Sequence, residues 1–250
     1  MNRDLLVRQL DALLDPQRIR DYGPNGLQVE GRGEVRVLAT AATASQAAID
    51  AAIAAGADTL LVHHGLLWGH EQPVTGMLQR RLKALLAADC NLIAYHLPLD
   101  AHREVGNNAL LLRLLGAEPE TAFARHHGID IGWLGTLPTA LDPATFAGRL
   151  AAAVDHAVVH CPGGPALIRR IGAVSGGGQS HLADAARAGC DAFITGETSE
   201  QTWHEAAELG IHCFAAGHHA SEDLAIHALG AQLAAEHGLR HAPLKLLNPL

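Results

Sequence analysis

The stretch AAIAAGADTLLVHH, Ala51–His64, combines the end of an alanine-rich helix, a Gly-x-Asp turn and an apolar strand that stops at two histidines. A second stretch, ADAARAGCDAFITGE (Ala183–Glu197), lines up with it at the turn. Gly56-Ala57-Asp58 matches Gly189-Cys190-Asp191, which sets His63 and His64 opposite Gly196 and Glu197. Downstream, AADCNLIAYHLPLD resembles AELGIHCFAAGHHASE, and His96-x-x-x-Asp100 faces His218-x-x-x-Glu222. Each copy therefore runs helix, strand, polar end, helix, strand, His-x-x-x-carboxylate. The second copy is the shorter, lacking the room taken by GLLWGHEQPVTG in the first. Alanine-rich helices imitate one another, so the weight rests on the matched His-x-x-x-carboxylate strand ends.

Outward from this repeat, strand-like and helix-like segments alternate. VRVLATAA, DTLLVH and NLIAYH predict strands, separated by helices in SQAAIDAAIAAG and MLQRRLKALLAAD and followed by NNALLLRLLG. The second series predicts strands in GIDIGWLG, HAVVHC, RRIGAVSGGG, DAFITG and IHCFAAG. Its helices are PATFAGRLAAAVD, SHLADAARAG, Glu200–Leu209 and SEDLAIHALGAQLAAEHG. Such alternation predicts an α/β protein with largely parallel or mixed sheets. The first repeat is placed at 1–120, with 223–250 packing back on it, and the second at 121–222.

The chain has 250 residues, 48% of them hydrophobic, enough for a substantial core. A formal charge of −8 argues against a nucleic-acid binder, which needs clustered Lys and Arg. Seventeen histidines nearly equal the 18 lysines and arginines together. The four cysteines form no C-x-x-C pair, which disfavours a thiolate zinc site and suits reduced structural thiols. MNRDLLVRQLDALLDP predicts an amphipathic helix closed by Pro16 rather than a signal peptide. No apolar run approaches the ~20 residues that span a bilayer. The expectation is a cytoplasmic protein with no membrane contact.

Ligands of open α/β sheets bind beyond the carboxyl ends of the strands. His63 and His64 end one predicted strand, His96–Asp100 another and His218–Glu222 a third. Adjacent strand residues point to opposite sides, so His63 and His64 suit two ions better than one. Asp100 can serve one ion and His218 the other, with Glu222 bridging. Imidazole mixed with carboxylate suits Zn, Mn, Fe or Ni, and two such ions would activate water for hydrolysis. His96 parallels His218, either as a ligand or as a hydrogen-bonding support.

Other signals are smaller. A His-His dipeptide in a histidine-rich chain is usually nothing, and His126-His127 is expected in a solvated turn before a strand. His70 lies in the insertion, either exposed or reaching the cleft. His160, His181, His204, His227, His237 and His241 are expected at the surface or in caps. SGGGQS follows a strand and opens a helix, where the backbone of Gly177, Gly178 and Gln179 can hold an anion or form only a tight turn. Glu197 can move protons or cap a helix, and YGPNGLQVEG carries the turn signal Asn25-Gly26 in a loop.

NGLQVEG, ADTLLVHHG, YHLPLDAHREVGNNALLLRLLG, SGGGQS, DAFITGE and AGHHASE occur in order across almost the whole chain. Together they resemble the YbgI-type branch of the NIF-three-like dinuclear-metal proteins, the GTP cyclohydrolase I type 2 homologues. The resemblance implies two intertwined, pseudo-symmetric α/β repeats with the metal site in the cleft between them, and a toroidal homohexamer. It implies two divalent transition-metal ions per subunit on His63, His64, Asp100, His218 and Glu222, and leaves His96 outside that set. It also implies a metal-dependent hydrolase acting on a nucleotide-like small molecule, with Glu197 or His96 as proton carrier. The alternative is a non-catalytic metal-binding ring that acts as scaffold or adaptor.

Overall fold

The computed structural model describes residues 1–69 and 72–250, so the expectation for His70 lies outside the described residues. Two compact units form: Met1–Leu99 with Ala225–Leu247, and Asp100–Leu224 with Asn248–Leu250. The chain thus builds most of one unit, then the other, and returns to the first.

In the first unit, helix α1 (Arg3–Leu14) is capped by the Asn2 side chain, which accepts from the Leu5 N–H, and ends at Asp15 in the left-handed region. Strands β1 (Gly26–Val29), β2 (Val37–Thr43), β3 (Thr59–His64), β4 (Asn91–Ala94) and β11 (Arg240–Pro243) make a mixed sheet in the order β1-β4-β3-β2-β11. Only β1 is antiparallel, against β4. Helices α2 (Gln46–Ala54) and α3 (Gly76–Ala87) cover it, burying Ala48, Ile49, Ala52 and Leu85 against Leu60, Val62 and Leu92.

The second unit holds β5 (Thr121–His126), β6 (Ile129–Leu141), β7 (Val159–Cys161), β8 (Ile168–Val174), β9 (Ala192–Thr195) and β10 (His212–Ala215). Their order is β5-β6-β8-β9-β10-β7, with only β8-β9 and β9-β10 parallel. Helices α5 (Asn107–Leu114), α6 (Pro143–Val154), α7 (Leu182–Arg187) and α8 (Glu200–Leu209) complete it. Its core gathers Leu111, Leu112, Phe146, Leu150, Ile171 and Phe214. Because Leu111 and Leu112 belong to that core, α5 groups with the second unit. The sequence-based bounds of 1–120 and 121–222 had set it with the first. Short helix α4 (Leu97–Ala101) and long helix α9 (His218–His237) each run across a unit boundary along the chain.

The repeat has a physical signature. Asp58 Oδ2 accepts the backbone N–H groups of Arg36 (2.7 Å) and Val37 (2.9 Å) at the start of β2. Asp191 Oδ2 accepts those of Arg169 and Arg170, both 2.8 Å, at the start of β8. In each unit one carboxylate thus ties the helix–strand turn to the neighbouring parallel strand. The series β1-β4-β3-β2 and β7-β10-β9-β8 also share strand order and direction.

Three local expectations are corrected. YGPNGLQVEG is not only loop, because Gly26–Val29 pairs as edge strand β1 after a left-handed Gly26. ETAFARHHGID is not simply a turn. Thr121–His126 forms β5 of a hairpin whose turn, His127-Gly128, has both φ angles positive, the conformation a two-residue hairpin demands. The His-x-x-x-carboxylate pairs are also not strand ends: His96 leads into α4 and His218 opens α9, so each pair spans one helical turn.

Replacing Asp58 by Ala strands two backbone donors and removes its ion pair with Arg32 (2.9 Å). We expect a loss of about 2–3 kcal/mol in chemical denaturation, a larger loss than for Asp191→Ala, whose carboxylate is less buried. A loss within experimental error would show that the turn does not depend on this carboxylate.

Candidate metal centre

Three histidines of the first unit come together. His63 and His64 end β3, and His96 follows β4. One ligating nitrogen from each lies within 4.8 Å of the others. The rings of His63 and His64 are 4.6 Å apart between centroids, and each is about as close to His96, at 4.9 and 5.4 Å. Strand alternation alone would send His63 and His64 to opposite sides. Here β3 ends at His64, and the two rings nevertheless meet.

Each ring is oriented through Nδ1. That of His63 lies 3.0 Å from the Tyr95 carbonyl oxygen, so it carries the proton and donates. His64 Nδ1 lies 3.0 Å from Thr43 Oγ1, its cross-strand neighbour. His96 Nδ1 lies 2.7 Å from Asp21 Oδ1. The carboxylate is itself fixed, accepting from the Tyr22 N–H (2.7 Å), Asn25 Nδ2 (2.9 Å) and the Leu97 N–H (3.0 Å). Burial raises the Asp21 pKa, but the bonds from His96, Asn25 and Tyr22 outweigh it and hold the carboxyl below its ordinary range. Trp68 sets its ring edge against His96, with centroids 5.1 Å apart. Gln28 Oε1 accepts the Leu66 N–H (2.8 Å), fixing the turn that follows the histidines.

The second unit gathers the carboxylates. Asp100, 6% exposed, and Glu222, 3% exposed, each place an oxygen within 4.8 Å of the other. Asp100 Oδ1 accepts from Asn107 Nδ2 (2.8 Å) and Ser175 Oγ (3.0 Å). Asn108 donates to the Asp100 carbonyl and accepts the Ser175 N–H at 2.6 Å. His218 places Nδ1 2.6 Å from Glu197 Oε1 and Nε2 3.2 Å from Glu222 Oε2. The hydrogen bond to Glu222 and the Glu197 charge, against opposing burial, push His218 up to about 9. One ring nitrogen thus faces each carboxylate.

The SGGGQS segment builds this carboxylate wall. Gly176 has φ +58°, and a side chain there would collide with the Glu222 carboxylate. Its N–H donates to Ser221 Oγ (3.1 Å), and its carbonyl accepts from the N–H groups of Gly196 and Glu197. Gly178 is packed against Val174 and opens a 3-10 turn that contains Gln179, while Gly177 is exposed. The N–H groups of Ser175 and Gly176 are therefore committed to protein acceptors.

Asp21, Thr43, Ser175, Asn107 and Asn108 were not singled out from the sequence. Asp21 left one signal, an Asp opening the turn Asp21-Tyr22-Gly23-Pro24, while Ser175, Asn107 and Asn108 lie inside quoted motifs. Three histidines expected at the surface or in caps are half-buried and hydrogen-bonded. His227 and His241 share Thr40 Oγ1, and His160 meets His212. Among the described residues, no helix is long and apolar enough to cross a membrane.

A family model for Duf34/NIF3 (NGG1p interacting factor 3) matches residues 1–246. The chain belongs to the DUF34/NIF3 family. A relative from Pseudomonas aeruginosa, named GTP cyclohydrolase 1 type 2 homolog, is 48% identical over 98% of this chain and 97% of its own. Two solved structures show the same DUF34/NIF3 fold along their whole length and along all of this chain. Protein ybgI, titled as of unknown function, is 43% identical with a TM-score of 0.94. A protein from Thermus thermophilus is 37% identical with a TM-score of 0.89.

The stability lent by Asp21 has a defined pH window. Its folded-state pKa is depressed, so the contribution is present above the unfolded value and is lost as pH falls through the folded one. Wild type should exceed Asp21→Asn in stability at neutral pH, and the gap should close below about pH 4. Denaturation curves of both proteins across pH 2–7 would check this, and a gap that does not change with pH would contradict it.

Proposed function

We propose that His63, His64, Asp100, His218 and Glu222 together ligate two divalent transition-metal ions, and that the protein is a hydrolase acting on a nucleotide-like small molecule. The observation that supports this most is the donor set. The imidazoles have Nδ1 held by Tyr95, Thr43 and Glu197, and the buried carboxylates Asp100 and Glu222 are seated on amide, hydroxyl and glycine neighbours. Metal-binding histidines characteristically commit their second nitrogen in this way, and mixed nitrogen and oxygen ligation fits Zn, Mn, Fe or Ni. In this reading His63 and Asp100 serve one ion, His64 and His218 the other, and Glu222 both.

Such ions, when bound, supply Lewis acidity that polarises an electrophile and acidifies water. The chain's own residues do the rest. Asn107 and Ser175 orient Asp100, and Glu197 fixes the His218 ring. In this reading His96, held by Asp21 beside His63 and His64, takes or gives a proton. The nucleotide class follows the name carried by the relatives, and a homohexamer is the assembly we propose.

The test is elemental analysis and native mass of the purified, metal-loaded protein, followed by a nucleotide hydrolysis screen. About two ions per chain are expected, falling to one or none in Glu222→Ala, with turnover lost in that variant. Protein that takes up no metal would overturn the centre. Two tightly held ions without turnover on any nucleotide would leave the metal binding and remove the hydrolase.

A further inference from the structure

Strand β7 closes one edge of the second sheet and runs antiparallel beside β10. Cys161 stands directly opposite Cys213, His160 opposite Phe214 and Val159 opposite Ala215. Directly opposed residues of an antiparallel pair share a face, with Cα atoms about 4.5–5.5 Å apart. A disulfide spans Cα separations of about 4.4–6.8 Å, so this register brings the two cysteines into the range of one.

The register is held from the other face. His160 stacks on Phe214 with centroids 4.4 Å apart and planes 7° from parallel, and its Nε2 lies 3.1 Å from His212 Nδ1. A slip of one residue would break both contacts and turn Cys161 away. Cys161 and Cys213 are 3% and 0% exposed, and both are free thiols. Burial, with the neighbouring Cys161 adding to it, pushes the Cys213 thiol up to about 12. Cys90 and Cys190 just precede β4 and β9, outside the ladder pairs.

We propose that Cys161 and Cys213 form a reversible disulfide site that staples edge strand β7 to β10. The co-reactant is a low-molecular-weight disulfide. One cysteine thiolate attacks it, expels one small thiol and leaves a mixed disulfide. The second thiolate then attacks the protein sulfur and expels the other small thiol. The protein loses two protons and two electrons, and the small disulfide is reduced to two thiols. Buried, high-pKa thiols exchange slowly, so oxidation follows opening of β7, a three-residue edge strand with Val159 56% exposed.

The full-length protein is treated with oxidised glutathione, once folded and once during refolding from denaturant. It is then alkylated under denaturing conditions without reductant and mapped by mass spectrometry. Two of the four cysteines should escape alkylation, and one cross-linked peptide should join Cys161 to Cys213. The denaturation midpoint should rise on oxidation and return with reductant. Cys161→Ala and Cys213→Ala should each keep three alkylatable thiols and show no such rise. The Cys90→Ala/Cys190→Ala double variant should still form the bridge. Four alkylatable thiols after oxidative refolding, or a bridge that uses Cys90 or Cys190 as readily, would overturn the proposal.

Discussion

An imidazole has two nitrogens, and committing Nδ1 to an acceptor decides what the ring can do with the other. His63, His64, His96 and His218 each make that commitment. Tyr95 takes the Nδ1 proton of His63 through its carbonyl, Thr43 meets His64 with a hydroxyl, and Asp21 and Glu197 meet His96 and His218 with carboxylates. Such bonds fix ring direction and, where the partner can only accept as the Tyr95 carbonyl does, the tautomer of a neutral ring. Three of the four histidines belong to one compact unit, where strand β3 ends and strand β4 gives way to α4. The fourth opens α9 in the other unit. The fold places each ring at the carboxyl end of a parallel strand or just beyond it, and the Nδ1 partner then aims it.

The two units reach this arrangement by a shared plan that diverges where chemistry is carried. Asp58 and Asp191 bind pairs of backbone N–H groups in the same manner, and the strand series around them have the same order. At the strand ends the copies differ. One ends β3 in His63-His64. The other follows β9 with Gly196-Glu197, whose carboxylate orients His218. Imidazoles accumulate in one unit and buried carboxylates in the other.

Much of this was legible in the sequence because it depends on local chemistry. The Gly-x-Asp match identified the repeat, and Asp58 and Asp191 each bond two backbone N–H groups of the neighbouring strand. The helix at Glu200–Leu209 has the expected bounds, since Ser199 and Thr202 form a capping box and Gly210 ends it in the left-handed region. What escaped depended on long-range partners. Gly26–Val29 has too few residues for a periodic pattern and becomes a strand only because β4 offers an edge. Asp21 lies 75 residues from His96 along the chain, and no spacing rule joins them. Asn107 and Asn108 looked like any polar helix start, yet both are buried to hold Asp100 and Ser175.

X-ray absorption of the metal-loaded protein tests the central claim most directly, because it reads ligand type without needing a substrate. The account predicts a shell of nitrogen and oxygen ligands at about 2.0–2.2 Å with imidazole scattering. It also predicts a metal neighbour at roughly 3.5–4 Å. A sulfur shell near about 2.3 Å, or a spectrum of fully hydrated ions without imidazole scattering, would contradict it.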